Sequence, residues 1–407
     1  PENTNPERGM ENLSKQTTIS FPSNLTGIDN NALSNCNILG DLNLPEGITH
    51  IGENAFKNVP STIYIPESNK YYTNYSNILY NKDKSTVIHC PHYYSNILIL
   101  PSTVKTIEPS AFYNCVSLYG IKIPVSTATI GDEAFYNCGN LNIVMVMNPT
   151  PINLMESSQI FTGVQTSSCK LAVPMGSITS YSSADVWKDF TSIVENEKTV
   201  NCTPGELENL ISPDELTYIT KLNITGSMDV RDFIFLQNML VLSELDLSSV
   251  TIAGLGEQSM SDEIPSGCFD GNSLLQKVIL PETVTTINGY SFSNCMGIES
   301  INIPASITDI NENAFIGCSA EITVDHNNSY YYGEDGILYN KNKSAILHFP
   351  SLRKGKFSIP STVISIRNAF YGSSLSDIVF PESLINLSDN AFTSSGNLKS
   401  ITINNPT

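Results

Sequence analysis

Apolar positions in this chain follow one fixed order that returns many times. The repeated unit reads P-x-x-[aliphatic]-x-x-I-x-x-x-A-F-x-N-C-x-x-L-x-x-I-x-I-P. Its closing I-x-I alternates with period two, which predicts a short strand with one buried face, and the proline ends that strand because it has no N–H to donate. The step from a small or apolar residue to Phe occurs ten times, once with Leu in place of Phe, at Ala32-Leu33, Ala55-Phe56, Ala111-Phe112, Ala134-Phe135, Ile160-Phe161, Cys268-Phe269, Ser291-Phe292, Ala314-Phe315, Ala369-Phe370 and Ala391-Phe392.

The spacing of these copies indicates a solenoid. Prolines 23 residues apart frame several of them, as in Pro22 to Pro45, Pro101 to Pro124 and Pro281 to Pro304. A period in the twenties is typical of repeat proteins in which each unit buries its apolar face only against its neighbours. We therefore predict a β-rich, right-handed solenoid of about 23-residue coils.

Two further columns of the repeat have a physical interpretation. In nine of the ten copies the residue two beyond this Phe or Leu is Asn or Gly, which predicts a left-handed corner because both tolerate positive φ. These positions are Asn35, Asn58, Asn114, Asn137, Gly163, Gly271, Asn294, Gly317 and Gly372. The next column holds Cys36, Cys115, Cys138, Cys295 and Cys318, but Val, Asn or Ser in other copies. A nucleophile would not exchange with Val, so we interpret these cysteines as buried free thiols that fill space.

A longer duplication lies over the repeats. A shift of 259 residues places Pro22–Ile107 on Pro281–Ile366 without a gap. The period is interrupted at the same place in both copies, by "YYTNYSNILYNKDKSTVIHCP" at 71–91 and "YYYGEDGILYNKNKSAILHFP" at 330–350. Each interruption predicts a strand pair, with a turn near Asn81–Asp83 and near Asn340–Asn342. We therefore expect two tandem arrays, each with one hairpin insert.

The region between the arrays has a different pattern. The chain's single Trp, Trp187, is followed at helical spacing by Phe190 and Val194, and we interpret this segment as a cap that closes the first array. "TPGELENLI" at 203–211 predicts a helix capped by Thr203 and Glu206. Leucine-repeat strands are expected near Ile219–Ile224 and Leu242–Leu247, with an amphipathic helix near Val230–Met239.

These patterns divide the chain as follows. A polar tail covers 1–21, and the first array covers 22–196, with its insert at 67–100 and its closing cap at 151–196. A helix-containing opening segment covers 197–266, and the second array covers 267–407, with its insert at 326–359. Because "NNPT" at 404–407 echoes "MNPT" at 147–150, we expect the second array to stop short of a missing C-terminal portion.

Charge narrows the possible partners. Lys and Arg number 21 against 40 Asp and Glu, a formal net charge of −19, which disfavours nucleic acid and anionic lipid. No apolar run approaches the roughly 20 residues of a membrane span, so no membrane-spanning segment is expected. The chain opens on a polar tail without a leader pattern, so an export signal is expected to have been removed.

The repeat motifs resemble those of the BspA-like leucine-rich repeat family, the type with A-F-x-x-C and I-x-I-P repeats. The resemblance covers most of residues 20–407, and the middle opener and the W-x-x-F segment are similar too. It implies a right-handed leucine-rich-repeat solenoid that is exported and either surface-attached or secreted. Some members are adhesins toward host matrix proteins. The resemblance implies neither catalytic residues nor a particular ligand.

Candidate chemistry is sparse. His89, Cys90 and His92 form a metal-like triplet, but neighbouring strand residues point to opposite faces, so a buried strand is the preferred interpretation. The acidic stretches "DHNNSYYYGEDG" (325–336) and "GEQSMSDEIP" (256–265) lack a calcium-loop spacing and are interpreted as solvated loops. Without G-x-S-x-G, H-E-x-x-H or Walker A motifs, we predict no enzyme, no metal and no cofactor.

Tyrosines remain as the candidate binding groups. They cluster in both inserts, and the predicted ligand-binding residues are Tyr71, Tyr72, Tyr75, Tyr330, Tyr331 and Tyr332. The alternative is that one or two tyrosines per insert pack on the coil beneath, as the matched Tyr80 and Tyr339 suggest. Exposed Tyr offers rigid contact area for proteins or sugars. We predict a cell-surface or extracellular, adhesin-like protein that binds a host or matrix protein or glycan, with a structural spacer as the alternative.

Overall fold

The computed structural model describes residues 19–38, 40–154, 159–256 and 260–403. The chain divides into two compact units, Pro1–Asn196 and Glu197–Thr407. In each unit, short parallel strands from successive repeats pair with one another, and helices are few and short. The predicted β-rich solenoid is therefore confirmed. Most of the predicted polar tail, and the "NNPT" echo at 404–407, lie outside the described residues.

The first unit contains two five-stranded sheets, one parallel and one mixed, and two short strand pairs. Its described strands are β1 (Gly27–Ile28), β2 (Leu42–Asn43), β3 (His50–Ile51), β4 (Ile63–Tyr64), β5 (Tyr72–Tyr75), β6 (Ile78–Asn81), β7 (Thr86–His89), β8 (Asn96–Ile99), β9 (Thr106–Ile107), β10 (Leu118–Ile123), β11 (Thr129–Ile130), β12 (Ile143–Val146), β13 (Lys170–Val173) and β14 (Ser192–Glu195). The I-x-I segments pair in the order β14-β13-β12-β10-β8, and a second sheet has the order β11-β9-β7-β6-β5. Two short pairs, β1-β3 and β2-β4, belong to the first coils.

The second unit also has parallel and mixed sheets. Its described strands are β15 (Glu197–Cys202), β16 (Lys221–Met228), β17 (Glu244–Ile252), β18 (Glu263–Ile264), β19 (Lys277–Ile279), β20 (Thr286–Ile287), β21 (Ser300–Ile303), β22 (Asp309–Ile310), β23 (Glu321–Val324), β24 (Tyr331–Glu334), β25 (Ile337–Asn340), β26 (Ala345–His348), β27 (Gly355–Ser358), β28 (Ser365–Ile366), β29 (Leu375–Phe380), β30 (Asn386–Leu387) and β31 (Ser400–Ile403). A six-stranded sheet has the order β15-β16-β17-β19-β21-β23. The remaining strands pair as β18-β20-β22, β24-β25-β26-β28-β30 and β27-β29-β31.

Register follows the repeat length. In the first unit Ile121 pairs with Val144 and Thr106 with Thr129, each 23 residues further along the chain. The inward side chains of one coil therefore lie over the same column of the next. Phe112 stacks on Phe135 with ring centroids 5.0 Å apart, and Phe135 stacks on Phe161 at 5.3 Å. These distances are close to the interstrand spacing, so the aromatic column has the same rise as the backbone.

Trp187 covers the end of this aromatic column. Its ring lies 5.6 Å from Phe161, its side chain is fully buried, and its Nε1–H donates to the Ile152 carbonyl at 2.9 Å. The helical spacing through Val194 was a wrong indication. The 3-10 turn ends at Asp189, and Val194 lies in β14, because pairing with β13 satisfies its main chain in the sheet.

The helices are α1 (Ile178–Ser183), α2 (Leu207–Leu210) and α3 (Val230–Leu236), with 3-10 turns at Trp187–Asp189 and Glu215–Thr217. The amphipathic helix predicted near 230–239 is present as α3. No helix among the described residues is long and apolar enough to cross a membrane.

The cap predicted at Thr203 is absent from α2, which begins only at Leu207. The Asp232 carboxylate of α3 accepts the N–H groups of Gly205 and Leu207, at 2.7 and 2.9 Å, so the start of α2 is satisfied from another helix. The capping box of this unit instead opens α3, where Asp229 and Asp232 bond reciprocally to the backbone.

The predicted corner column adopts the left-handed conformation at every position. Its Asn residues have φ between 53° and 61°, and its Gly residues have φ between 67° and 86°. In the first unit the Asn side chains also form a ladder. Asn58 Nδ2 donates to Asn35 Oδ1 at 2.9 Å, Asn114 donates to Asn58 at 2.5 Å, and Asn137 donates to Asn114 at 2.6 Å. The corner residue thus bends the chain and links coils.

Replacing Asn114 separates these two roles. Asn114→Gly keeps the positive φ at low cost and removes only the side-chain bonds, about 1 kcal/mol each. Asn114→Ala adds the left-handed strain, about 1–2 kcal/mol. We expect Ala to lower the free energy of unfolding, measured by urea titration, more than Gly does. Equal losses for the two variants would show that backbone strain does not control this corner.

Candidate functional site

Each insert is a three-stranded antiparallel meander rather than the single strand pair predicted. β5 pairs with β6 and β6 with β7 in the first insert, as β24, β25 and β26 do in the second. The predicted turn near 81–83 joins β6 to β7. A second turn, which the sequence pattern did not predict, joins β5 to β6 through Ser76-Asn77, with φ of 51° and 65°. Its counterpart in the second insert is Asp335-Gly336. An Asp-Gly pair between strand-like runs is a strong hairpin signal and could have revealed it.

The last strand of each insert returns the chain to the solenoid. β7 runs antiparallel to β6 on one side and parallel to β9 on the other, and β26 lies likewise between β25 and β28. Each insert is therefore an extension of a solenoid sheet and not a separate lobe. Side chains on β5 and β24 consequently take fixed positions relative to the coils.

A buried asparagine fastens the start of each insert to the coil beneath. Asn69 Nδ2 donates to two main-chain carbonyls of that coil, both at 2.7 Å, and its Oδ1 accepts the N–H groups of Tyr71 and Tyr72 at 2.8 Å. Asn328 makes four bonds of the same kinds in the second insert, at 2.8–2.9 Å. All four polar positions of the buried amide are thus satisfied, which favours one geometry.

Tyr72 and Tyr331, two of the predicted binding residues, have structural contacts. The Tyr72 hydroxyl accepts the Ile51 N–H at 2.9 Å, and the Tyr331 hydroxyl accepts the Ile310 N–H at 2.8 Å. Tyr331 is only 8% exposed, and burial raises the pKa of both phenols. Their hydroxyls complete the hydrogen bonding of the coil beneath, so a ligand would reach them only at the cost of those bonds.

Tyr80 and Tyr339 are almost completely buried, at 1% and 2% exposed. Burial raises the pKa of both phenols, that of Tyr339 to about 12. The packing predicted for this matched pair is therefore present.

The other four predicted tyrosines point outward to different degrees. Tyr71, Tyr75 and Tyr330 are 51%, 47% and 53% exposed, and Tyr332 is half-buried. A lysine ammonium lies over two of the rings, Lys84 over Tyr75 at 3.9 Å and Lys343 over Tyr332 at 4.4 Å. These cation–π contacts restrict the rings while leaving contact area exposed. Lysine contacts thus restrict Tyr75 and Tyr332, and the role of all four tyrosines in ligand binding stays a prediction.

His89 of the suspected metal triplet, and its counterpart His348, have packing roles. His89 is buried, its Nε2 lies 3.0 Å from the Ser61 carbonyl, and its ring lies 5.9 Å from Phe56, where it continues the aromatic column. His348 repeats this arrangement with Ala320 at 2.8 Å and Phe315 at 5.5 Å. Burial lowers the pKa of both rings, and of His92, to about 4.

The acidic side chains of 325–336 do not gather around a common point. Glu334 pairs with Lys343 at 2.8 Å, and Asp325 accepts the Asn327 N–H at 2.8 Å. Within the described ranges, no three His, Cys, Asp or Glu side chains lie close enough to hold a metal ion. Part of the other acidic stretch, residues 257–259, lies outside those ranges.

All nine cysteines of the chain are described, and all are buried thiols outside any disulfide, as predicted for the repeat column. Burial raises the pKa of Cys115, Cys138 and Cys268 well above the usual value and that of Cys318 to about 12. Nucleophilic attack needs a thiolate, which these sites disfavour.

Comparison with known proteins identifies the repeat type. The family model for the BspA type leucine rich repeat region matches residues 7–99, 89–182, 196–322 and 348–407. A comparison with curated protein sequences gives no match.

Solved structures similar to this chain include three bacterial proteins. A leucine-rich repeat protein from Eubacterium ventriosum is 22% identical, with a TM-score of 0.29, over 79% of this chain and 69% of that one. A leucine rich cell surface protein from Faecalibacterium prausnitzii is 17% identical, with a TM-score of 0.25, over 82% and 95%. The pneumococcal vaccine antigen PcpA is 14% identical, with a TM-score of 0.33, over 82% and 71%. The family model, which covers most of the chain, is the finding that classifies it.

Removing one phenol hydroxyl tests the anchoring role of Tyr331. In Tyr331→Phe the buried Ile310 N–H loses its acceptor, which costs about 1–3 kcal/mol. Tyr330→Phe, one residue earlier and exposed, is the matched control and should leave the free energy of unfolding unchanged. Chemical denaturation of both variants gives the comparison. A Tyr331→Phe protein as stable as the control would contradict the anchoring role.

The buried histidines predict acid sensitivity. Their pKa is about 4 when folded against 6.5 when exposed, so the unfolded chain binds more protons between these values. Their contribution is complete above pH 6.5 and is lost as pH falls toward 4, by up to about 3 kcal/mol per ring. The double variant His89→Gln/His348→Gln should therefore show a flatter decline in unfolding free energy across this window.

The exposed His326 supplies the control for that profile. His326→Gln should keep the slope of the parent protein. An unchanged slope in the double variant would mean that carboxylates, not these rings, cause the acid sensitivity.

Proposed function

This chain belongs to the BspA-type leucine-rich repeat family, and on that premise we propose that it is a non-enzymatic, adhesin-like binding protein, displayed at the cell surface or secreted. Its ligand is a host or matrix protein or glycan, recognised through the solenoid surface and its two inserts. The single observation that carries the proposal is the pair of inserts. Each is fixed to a coil by a buried asparagine, and each presents exposed tyrosines beside it.

The contact residues of this proposal are Tyr71 and Tyr75 in the first insert and Tyr330 and Tyr332 in the second. Tyr72 and Tyr331 are positioning residues, because their hydroxyls accept backbone N–H groups of the coil beneath. Rigid tyrosines suit recognition, since a ring that is already ordered loses little entropy when a partner binds. Such anchors dominate many protein interfaces.

Charge supports a partner other than nucleic acid or anionic lipid. The formal net charge of −19 repels phosphate-rich surfaces. Two of the five histidines and all nine thiols are packed inward in this fold. His89 and His348 lie in the aromatic column, and the thiols are buried. This inward packing supports a binding role over a catalytic one.

A binding screen against extracellular-matrix proteins, mucins and glycans tests the proposal. The variants are Tyr71→Ser/Tyr75→Ser and Tyr330→Ser. Tyr119→Ser is the matched control, because Tyr119 is 44% exposed but lies on β10, outside both inserts. We expect saturable binding to at least one probe, weakened about tenfold or more by loss of an aromatic anchor, and unchanged in the control.

A folded protein without saturable binding to any probe would contradict the proposal and favour the alternative, a structural spacer without a specific ligand. Binding that is lost equally in the Tyr119 control would place the contact outside the inserts.

A further inference from the structure

Two tyrosines outside the set discussed so far lie together at the base of the first insert. Thr62 directly precedes β4 and Tyr64 lies in it. They flank the fully buried Ile63, so their side chains lie on the opposite, outer face. The Tyr93 hydroxyl hydrogen-bonds with the Thr62 hydroxyl, which brings Tyr93 onto the same face. Thr62 and Tyr64 are two residues apart, which is about 7 Å along an extended chain. The Tyr93 hydroxyl, bonded to Thr62, therefore lies near Tyr64.

Both rings are held through their hydroxyl groups. Tyr93 is bonded to Thr62, which is 0% exposed beneath it, while Tyr93 itself is 52% exposed. The Tyr64 hydroxyl donates to Asn77 Oδ1 in the turn between β5 and β6, at 3.4 Å, and Tyr64 is half-buried. Because the phenol oxygens are already engaged, what the pair offers to a partner is the aromatic surface of the rings.

Polar groups border the pair along the neighbouring strand. Asn43 pairs with Tyr64 in the β2–β4 ladder, and Asp41, like Asn43, is exposed on that outer face. Residues 85–104, which contain Tyr93, include no Asp, Glu, Lys or Arg. The two histidines of that stretch are neutral at pH 7, because burial lowers their pKa to about 4.

We propose that Tyr64 and Tyr93 form a platform for an uncharged glycan, with Asn43 and Asp41 as hydrogen-bonding neighbours; this inference names a ligand class and site within the proposed binding function. A pyranose ring has an apolar C–H face, which stacks on an aromatic ring, and a rim of hydroxyl groups, which an amide and a carboxylate can bind. The net charge of −19 and the nearby Asp41 disfavour sulfated or sialylated chains.

The size of the platform also favours a sugar. A specific protein partner covers roughly 800 Å² on each side of an interface, whereas the platform consists of two side chains and their polar border. One or two sugar residues are enough to cover a platform of two side chains.

The second unit supplies an internal comparison, because the equivalent positions 259 residues later lack the platform. Glu321 replaces Thr62, Thr323 replaces Tyr64 and Leu352 replaces Tyr93. The Arg353 guanidinium pairs with Glu321 at 3.3 Å, so this surface is charged. We therefore assign the glycan platform to the first unit alone.

The test uses the full 407-residue chain on an array of neutral hexose and N-acetylhexosamine oligosaccharides, with sulfated and sialylated glycans and matrix proteins on the same array. The variants Tyr93→Leu and Tyr64→Thr introduce the residues found at the equivalent positions of the second unit. We expect binding to a neutral oligosaccharide that either variant weakens about tenfold, the value of one lost stacking contact. High salt should not weaken it, and Tyr119→Ser should leave it unchanged.

Tyr93→Phe tests the aromatic ring separately from the hydroxyl bond to Thr62. It keeps the aromatic face and loses the bond to Thr62, so it should retain most of the binding. Thermal unfolding of each variant shows whether the coil remains intact. A loss of glycan binding counts only in a variant that unfolds at the same temperature as the unsubstituted protein.

Three results would overturn the inference. One is binding only to sulfated or sialylated glycans with loss at high salt, and another is neutral-glycan binding that Tyr93→Leu leaves intact. The third is binding to matrix proteins without any neutral-glycan signal, in which case the proposed binding function stands and the glycan platform does not. No binding to any probe would reject both.

Discussion

Hydrogen bonding between residues 23 positions apart is the constraint on which the solenoid depends. A coil such as 101–124 has only two short strands, β9 and β10, and cannot satisfy its own main chain, so each coil is completed by the next. An inward side chain of an inner coil, such as Phe135, consequently lies between residues of the same column in the two adjacent coils. A residue fits this fold when its side chain can pack on the equivalent residue of the next coil. This explains why Phe, small thiols and Asn or Gly recur at fixed positions of the repeat.

The inserts keep to this constraint although they interrupt the period. The Cys90 N–H donates to the Ala111 carbonyl at 2.8 Å, and the Phe349 N–H donates to the Ala369 carbonyl at 3.2 Å, so the next coil finds its main-chain partner. His89 and His348 take places in the aromatic column beside Phe56 and Phe315. A histidine can serve there because its Nε2 lies within hydrogen-bonding distance of a carbonyl of the coil below. The insertion therefore leaves the stack continuous.

Sequence periodicity predicts the features that the column constraint controls. The strands, the left-handed corners and the buried thiols all follow from residue types repeated at one position, and all are present. Prediction was weaker for contacts that are not repeated from coil to coil. The start of α2 depends on Asp232, a residue from another helix, and Val194 is placed by pairing with β13. Neither contact has a counterpart in the local pattern that suggested a capped helix or a helical spacing.

The candidate site shows the same limit. Tyr71 and Tyr72 are adjacent and chemically identical, and only the structure separates the exposed ring from the one whose hydroxyl accepts the Ile51 N–H. Strand alternation predicts that neighbours face opposite sides, but it does not predict which side a coil will cover. That depends on Asn69, which fixes where the first strand of the insert begins.

Duplication within the chain indicates where function can vary. The buried contacts of the two inserts agree: Asn69 with Asn328, Tyr72 with Tyr331 and His89 with His348. Several of their outward positions differ, since Tyr75 corresponds to Glu334 and Tyr93 to Leu352, although Tyr71 and Tyr330 agree. Inward changes would disturb the columns of neighbouring coils, whereas outward changes alter only the surface that a partner meets. A scaffold of this kind can therefore present an aromatic surface in one unit and a charged surface in the other on a nearly constant framework.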